Sequence, residues 1–420
     1  MTWALPTIAA VLLVFAAISG RVEGTPITAP MIFTGSGLIL GANALRLIDV
    51  HAGAEVVKLL AEVTLALVLF SDAFRVNLPA LRTEIALPAR LLGIGLPLTI
   101  AAGFAAALVL LDLTWPEALL LAVILAPTDA ALGQAVVTLP ILPSRVRQGL
   151  NVESGLNDGI CVPVFLIVLA IAQAEAGALG SGSAAILVTE QIGFGTLAGL
   201  LAGAIAAAIL VVVARRHRID PLWAQTIPVT AAVLAYTVAV PLGGSGFIAA
   251  FVGGLTFGAI RHRATDVHEA DGAEGEAALL DGAGDLASAV TFIVFGAVLL
   301  GPALGRLSWA TLGYAVVSLT AVRMIPVALS LIGTHPRVPT VAFVGWFGPR
   351  GLATIVFVIL ILEEPGDLPH EELLLTTAII TIALSVLAHG LSAAPLADRY
   401  ATWFQRHPRD EDRPARRTSG

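Results

Sequence analysis

The sequence predicts an all-α polytopic membrane protein of about thirteen transmembrane helices, arranged as inverted repeats with two interrupted helices that cross. Three observations carry that expectation. The chain is 57% hydrophobic and only 13% charged, with a mean hydropathy of +0.91, which is more apolar surface than a water-soluble domain of this length can hide. Its apolar runs recur at bilayer-spanning length, and arginine collects in alternate loops between them. Two of the runs, the fifth and the twelfth, are broken by proline or glycine beside a charge.

Taken in order, a window of about 20 residues places spans at 3–19, 27–45, 54–71, 86–111, 116–139, 147–171, 187–214, 222–241, 245–260, 280–302, 309–333, 340–362 and 372–395. The first, MTWALPTIAAVLLVFAAISG, lacks the basic segment of a signal peptide and reads as a retained membrane helix. The second and ninth are rich in glycine. Arg21, Arg75 with Arg82, Arg145 with Arg147, Arg215 with Arg216 and Arg218, Arg261 with Arg263, and Arg337 fall in loops on one side, together with the arginine-rich tail. The opposite side receives Arg46, Lys58 and Arg306. Positive charge marks the cytoplasm, so the C-terminus is expected inside and the N-terminus outside. The order divides the chain into a first repeat (1–174), a linking seventh span (187–214), a second repeat (222–396) and a short cytoplasmic tail (397–420).

Outside the spans, RHRATDVHEADGAEGEAALLDGAGDLA is acidic and reads as a solvated connector with an interfacial helix, and RHPRDEDRPARRTSG reads as disordered. A net charge of −7 argues against a nucleic-acid partner. The single cysteine, Cys161, excludes an internal disulfide and any multi-cysteine metal site, and reads as a small buried hydrophobe.

The two breaks have opposite charge. In ALLLAVILAPTDAALGQAVVTL, Pro127 removes a backbone donor and disfavours helix at the residue before it, with Thr128 and Asp129 following. In VAFVGWFGPRGLATIVFVIL, Gly348, Pro349, Arg350 and Gly351 interrupt the run. The two segments lie seven spans apart and therefore run in opposite directions, the pattern of a midplane transport site. A carboxylate at Asp129 suits helix N-termini, and a guanidinium at Arg350 suits carbonyl ends. Both residues read first as neutralising the crossing, whereas the Thr128 hydroxyl and freed carbonyls are neutral ligands for a small cation.

The sixth span, NVESGLNDGICVPVF, carries two acids in an otherwise apolar helix. Residues four apart share a face, so Glu153 stacks with Asn157, and Ser154 with Asp158. Arg323, inside the eleventh span, is the expected partner of Glu153, with Asn157 bonding to either. Asp158 remains without an evident cationic partner, and an intramembrane acid of that kind is functional by default. A carboxylate desolvated by burial can hold a proton near neutral pH. A monovalent cation compensates the same charge, so proton and cation compete, and Asp158, Ser154 and Thr128 supply the oxygens that a hard cation prefers. One acid that holds either species predicts a one-for-one, electroneutral exchange.

ESGLNDG, preceded by APTDA and followed by FGPRGLA, resembles the monovalent cation/proton antiporters, in the branch of bacterial NhaP-type and animal NHE-type sodium/proton exchangers. The likeness runs from the third span through the twelfth. It implies a thirteen-helix inverted-repeat fold and a homodimer in a bacterial inner membrane, in which a core (spans four to six and eleven to thirteen) moves against a scaffold like an elevator. It implies Asp158 as the cation- and proton-binding acid, and Thr128 and Ser154 as accessory oxygen ligands. Asp129 then sits at the helix crossing, Asp72 contacts the ion through water, and Glu153, Asn157 and Arg323 form a stabilising cluster. It implies no resident cofactor, the cation and the proton being cargo. Many relatives have proline after the Thr-Asp pair, where this chain has Ala130. Relatives with two adjacent acids in the sixth span are electrogenic, and Asn157 argues against that here.

Other readings are weaker. A cation channel needs a continuous polar lining, and the polar groups here cluster near mid-depth. An intramembrane hydrolase needs a base beside Ser154, yet of eight histidines only His389 falls within a span, near its end. The outward acids Glu363, Glu364, Asp367, Glu371 and Glu372 read as a solvated loop face. A K+/H+ exchanger of the same mechanism is the closest alternative, since no side chain declares ion size.

Overall fold

In lipid, a single segment satisfies its backbone polar groups only by coiling into a helix. The computed structural model describes residues 3–22, 25–41, 44–48, 54–76, 86–129, 132, 142–177, 181–216, 220–264, 270–334, 336–363 and 368–407. Among these, fourteen helices form once short prolonging turns are merged, and no strand does. Arg82, Ala130, Arg218, Glu364, Asp367, most of the second half of the fifth span, residues 265–269 of the acidic loop and the tail beyond 407 lie outside the described residues.

The helices are α1 (Ala4–Val22), α2 (Ala29–Leu40), α3 (Ala54–Phe74), α4 (Ala86–Leu110), α5 (Trp115–Ile124), α6 (Ser144–Glu175) and α7 (Ser181–Arg215). They continue as α8 (Pro221–Ala239), α9 (Gly246–Ala264), α10 (Ala270–Val294, prolonged through Gly305), α11 (Trp309–Ser330), α12 (Val338–Trp346), α13 (Leu352–Glu363) and α14 (Glu371–Arg406). Every predicted span meets a helix, and the interrupted twelfth divides into α12 and α13. Among the described residues, eight helices are individually long and apolar enough to cross a membrane, so length and hydropathy alone do not reach a count of thirteen. The shorter apolar helices α2, α5 and α13 have 10–17 residues, and two of them are halves of the broken spans.

Two groups of helices each have an apolar cluster of their own, and a larger buried cluster that includes Leu65, Phe292, Phe165, Phe357 and Leu374 joins them. The first joins α2, α3, α7, α8, α9 and α10, with Phe70, Phe74 and Phe257 at its centre. The second joins α4, α5, α6, α11, α12 and α14, with Val327, Phe343 and Tyr400 packed together near one end. Glycine sets the closeness of one contact: a Cβ on Gly37 of α2 would overlap the Ile293 carbonyl of α10. Helix α1 buries none of its residues, and Leu5, Leu13 and Val14 are exposed. Apolar exposure of this kind is expected of a surface solvated by lipid.

Two elements run beyond their predicted limits. Helix α14 continues to Arg406, past the predicted 395, because Tyr400 stacks on Phe343 (ring centroids 4.2 Å apart) and carries the helix along α12. Helix α10 starts at Ala270, so the later part of the acidic segment is helical. Its Asp281 accepts a hydrogen bond from Ser71 Oγ (2.6 Å) and pairs with Arg75, both on or next to α3. The segment is therefore a docked helix there and not a solvated connector.

Candidate functional site

The fifth span breaks where its sequence changes character. WPEALLLAVI contains no helix breaker after its first turn, and Glu117 accepts from the Thr114 N–H (2.9 Å) and Oγ1 (2.7 Å) to cap the start of α5. Glu117 also receives the His370 N–H (2.6 Å), which ties α5 to the start of α14. The helix stops at Ile124, and residues 127–129 run in non-helical conformation. In the twelfth span, residues 347–351 separate α12 from α13 in the same way.

The two non-helical stretches bond to one another. The Asp129 N–H donates to the Pro349 carbonyl (2.8 Å), and Asp129 Oδ2 accepts from the Leu352 N–H (2.8 Å) at the start of α13. Arg350 Nη1 donates to the Ala126 (2.8 Å) and Pro127 (3.1 Å) carbonyls just beyond the end of α5. A carboxylate thus lies at a helix N-terminus and a guanidinium at a helix C-terminus, each opposite the partial charge it complements. Thr354 Oγ1 adds a bond to the Ile124 carbonyl (3.0 Å). The approach requires glycine at 351, where any Cβ would overlap the Asp129 carboxylate.

Helix α6 passes beside this crossing. Ser154 Oγ donates to the Thr128 carbonyl (2.5 Å), and Asn157 Nδ2 donates to Thr128 Oγ1 (2.6 Å). Arg323 of α11 grips Glu153 through two bonds, Nη1 to Oε1 (2.6 Å) and Nη2 to Oε2 (2.9 Å), with both side chains almost wholly buried. Asn157 reaches Thr128 and not the Glu153–Arg323 pair, so its amide joins α6 to the break. Asp158 is 6% exposed, and among the described residues its Oδ1 has no hydrogen-bond partner. Asp72 and Asp129 are acids near it. Half-buried Asp72 approaches from α3, where a Cβ on Gly155 would lie 3.2 Å from the Asp72 Cβ.

The structure therefore brings Thr128, Asp129, Ser154, Asn157, Asp158 and Asp72 to one place, with the Glu153–Arg323 pair and Arg350 around it. Sequence reasoning missed the support behind Arg350. The Arg350 N–H donates to Ser385 Oγ (2.6 Å), and that hydroxyl lies 3.2 Å from His389 Nδ1. His389 Nε2 lies 3.0 Å from the Trp346 carbonyl, the last of α12. Nδ1 also lies 3.0 Å from the Ser385 carbonyl, so each ring nitrogen of His389 faces a carbonyl acceptor. The signal in the sequence was the polar pair Ser385 and His389, four residues apart on one helix face of an apolar span. Replacing Ser385 with alanine strands a buried N–H, at a cost of about 1–3 kcal/mol. Ser385→Ala is accordingly expected to lower the unfolding temperature of the purified protein, whereas Ser385→Thr, which keeps the acceptor, recovers much of it.

The fold and the site together define the class: a membrane-embedded, multi-pass protein in which two non-helical stretches at helix ends bond to one another beside a buried acid. Residues 8–399 match the family model described as sodium/hydrogen exchanger, transmembrane, and the chain belongs to that family. It is 27% identical over 386 residues to the K(+)/H(+) antiporter NhaP of Alkalimonas amylolytica, an alignment covering 90% of this chain and 63% of that protein. It is 26% identical to the K(+)/H(+) antiporter NhaP2 of Shewanella oneidensis, covering 89% of this chain and 62% of that one. The chain thus spans less than two thirds of the length of these curated relatives. The sodium proton antiporter MjNhaP1 of Methanocaldococcus jannaschii at pH 8 has the same fold, with a TM-score of 0.77 at 23% identity over 95% of this chain and 98% of that one.

Proposed function

We propose that the protein exchanges a monovalent cation, Na+ in the first place and Li+ with it, for H+ across the membrane, one for one and without net charge movement. Asp158 holds either the cation or the proton. One observation carries this reading: Asp158 is buried beside the crossing with Oδ1 unpaired, while the nearby guanidiniums are engaged elsewhere, Arg323 with Glu153 and Arg350 with backbone carbonyls. Ser154 and Thr128 supply neutral oxygens next to it, so a single unit charge is what the site lacks. Asp129 balances the crossing, and Asp72 contributes from α3, reaching the ion through water. The Glu153–Arg323 pair keeps α6 and α11 in register, with Asn157 fastening α6 to the break.

K+/H+ exchange is the second reading, favoured by the names of the curated relatives. The remaining parts of the proposal follow from the same architecture. Residues 1–174 and 222–396 form the inverted repeats, joined by the seventh span, and the C-terminus lies in the cytoplasm of a bacterial inner membrane. The group containing α6, α11 and α14 moves against the group containing α3 and α9. Gly155 and Gly159 of α6 let Asp72 and Phe251 pack closely at that boundary, where a Cβ on Gly159 would overlap the Phe251 ring. The exposed apolar face of α1 is available for a homodimer contact.

The test uses proteoliposomes with an acidic lumen and a pH-sensitive dye, given external Na+, Li+ or K+ with the membrane potential clamped and unclamped. Cation-driven dequenching that is indifferent to the clamp is expected, and its order ranks the ions. Absence of dequenching with every cation between about pH 6 and 9 would overturn the reading.

A further inference from the structure

Away from the crossing, a cavity of about 110 Å3 opens between the ends of α4, α6, α11, α12 and α14, on the face that the arginine distribution assigns to the cytoplasm. Two arginines line it, Arg145 in the first turn of α6 and Arg337 at the start of α12, and among the described residues no carboxylate does. Trp403 and Phe404 wall one side, while Thr334 and Thr340 add hydroxyls. The Arg337 guanidinium lies 5.7 Å from the Trp403 ring centroid and donates to the His407 carbonyl, which holds it at the cavity edge with donors to spare. The first turns of α6 and α12 open at this cavity, and neither helix has a side-chain hydrogen bond capping its N-terminus. Their positive ends add to the two guanidiniums.

We propose that this cavity binds a phosphate group, carried by an anionic lipid headgroup or by a soluble phosphate. Size, charge and geometry agree on that chemistry. A cavity of about 110 Å3 has room for one tetrahedral oxyanion. Guanidinium forks and helix N-termini are the donors that phosphate oxygens take. The aromatic residues beside basic ones match the headgroup level of a bilayer, where basic pockets between membrane helices receive anionic headgroups. An occupant would tie together the near ends of α6, α12 and α14, the elements that carry Asp158, lead into the Arg350 break and hold Ser385. Binding there would stabilise the half of the molecule that contains the ion site. The inference needs no assumption about which cation is carried.

The experiment is thermal unfolding of the purified full chain in detergent, titrated separately with inorganic phosphate, dioctanoyl phosphatidic acid and dioctanoyl phosphatidylcholine. The variants are Arg145→Gln, whose side chain reaches water, and Arg145→Gln with Arg337→Gln. A saturable rise in unfolding temperature with phosphatidic acid is expected for the wild type, with apparent affinity reduced about tenfold in Arg145→Gln and further in the double variant. If phosphatidic acid acts and inorganic phosphate does not, the group is lipid-borne; if both act alike, soluble phosphate suffices. A response equal for phosphatidylcholine, no response to either phosphate source, or titrations unchanged by the variants would overturn the proposal. Tracer binding of radiolabelled phosphatidic acid to wild type and Arg145→Gln checks the same affinities without reference to stability.

Discussion

Asp158→Asn is expected to reduce cation-driven proton movement to the rate of protein-free vesicles, with an unfolding temperature equal to or above that of the wild type. The two halves of this expectation have the same cause. The Asp158 carboxylate is buried, and among the described residues its Oδ1 has no partner that an asparagine would forfeit. An uncompensated acid in such a place costs the fold free energy, so neutralising it removes a cost and breaks no hydrogen bond at Oδ1. The same change removes the carboxylate charge proposed to hold the cation beside Ser154 and Thr128, and an amide does not cycle a proton. Loss of transport without loss of stability separates a transport group from a structural one. A folded Asp158→Asn protein that retains exchange would move the role to Asp72 or Asp129.

The opposite signature is expected at the Glu153–Arg323 pair. The two bonds of 2.6 and 2.9 Å join α6 to α11, with side-chain exposures of 3% and 2%. Removing one partner leaves the other buried and uncompensated, which costs about 3–5 kcal/mol. Glu153→Leu and Arg323→Met, each alone, should lower the unfolding temperature severely, by amounts readable in detergent by intrinsic fluorescence. The double variant should recover most of the loss, because it leaves no orphaned charge and keeps apolar volume in place. If the two single losses simply add in the double variant, the pair is not the coupled unit the geometry describes.

How much of this was legible in the sequence depended on what each residue costs in lipid. Charges stand out in an apolar run, so Glu153, Asp158, Arg323, Asp129 and Arg350 could be picked out and given partners or helix ends by charge alone. The contacts of Glu153, Asp129 and Arg350 are those that electrostatics selects. Neutral polar groups cost less and carry weaker signals. Ser385, His389 and Thr354 hold the crossing from behind, yet hydroxyls and an imidazole occur in membrane helices for many local reasons. The bond from Asn157 depended on the path of the chain at Thr128, which no spacing rule supplies. Half-helices are also hard to delimit: α5 has 10 residues and α13 has 12, so a window sized for a full span blends each with its surroundings. The end of α14 was missed for a related reason, since Tyr400, Trp403 and Phe404 lie among charged residues and lower the local hydropathy.

The central claim is that proton and cation contend for one carboxylate, and the dependence of transport on both concentrations tests it most directly. Initial exchange rates would be measured in proteoliposomes over a range of cation concentrations at several pH values on the cation-loading side. Competition at Asp158 predicts that the apparent KM for the cation rises as that side is acidified, approaching tenfold per pH unit at the acidic end, while the rate at saturating cation stays the same. A KM independent of pH, with a maximal rate that falls on acidification, would contradict the account, because the proton would then be acting at a group the cation does not occupy.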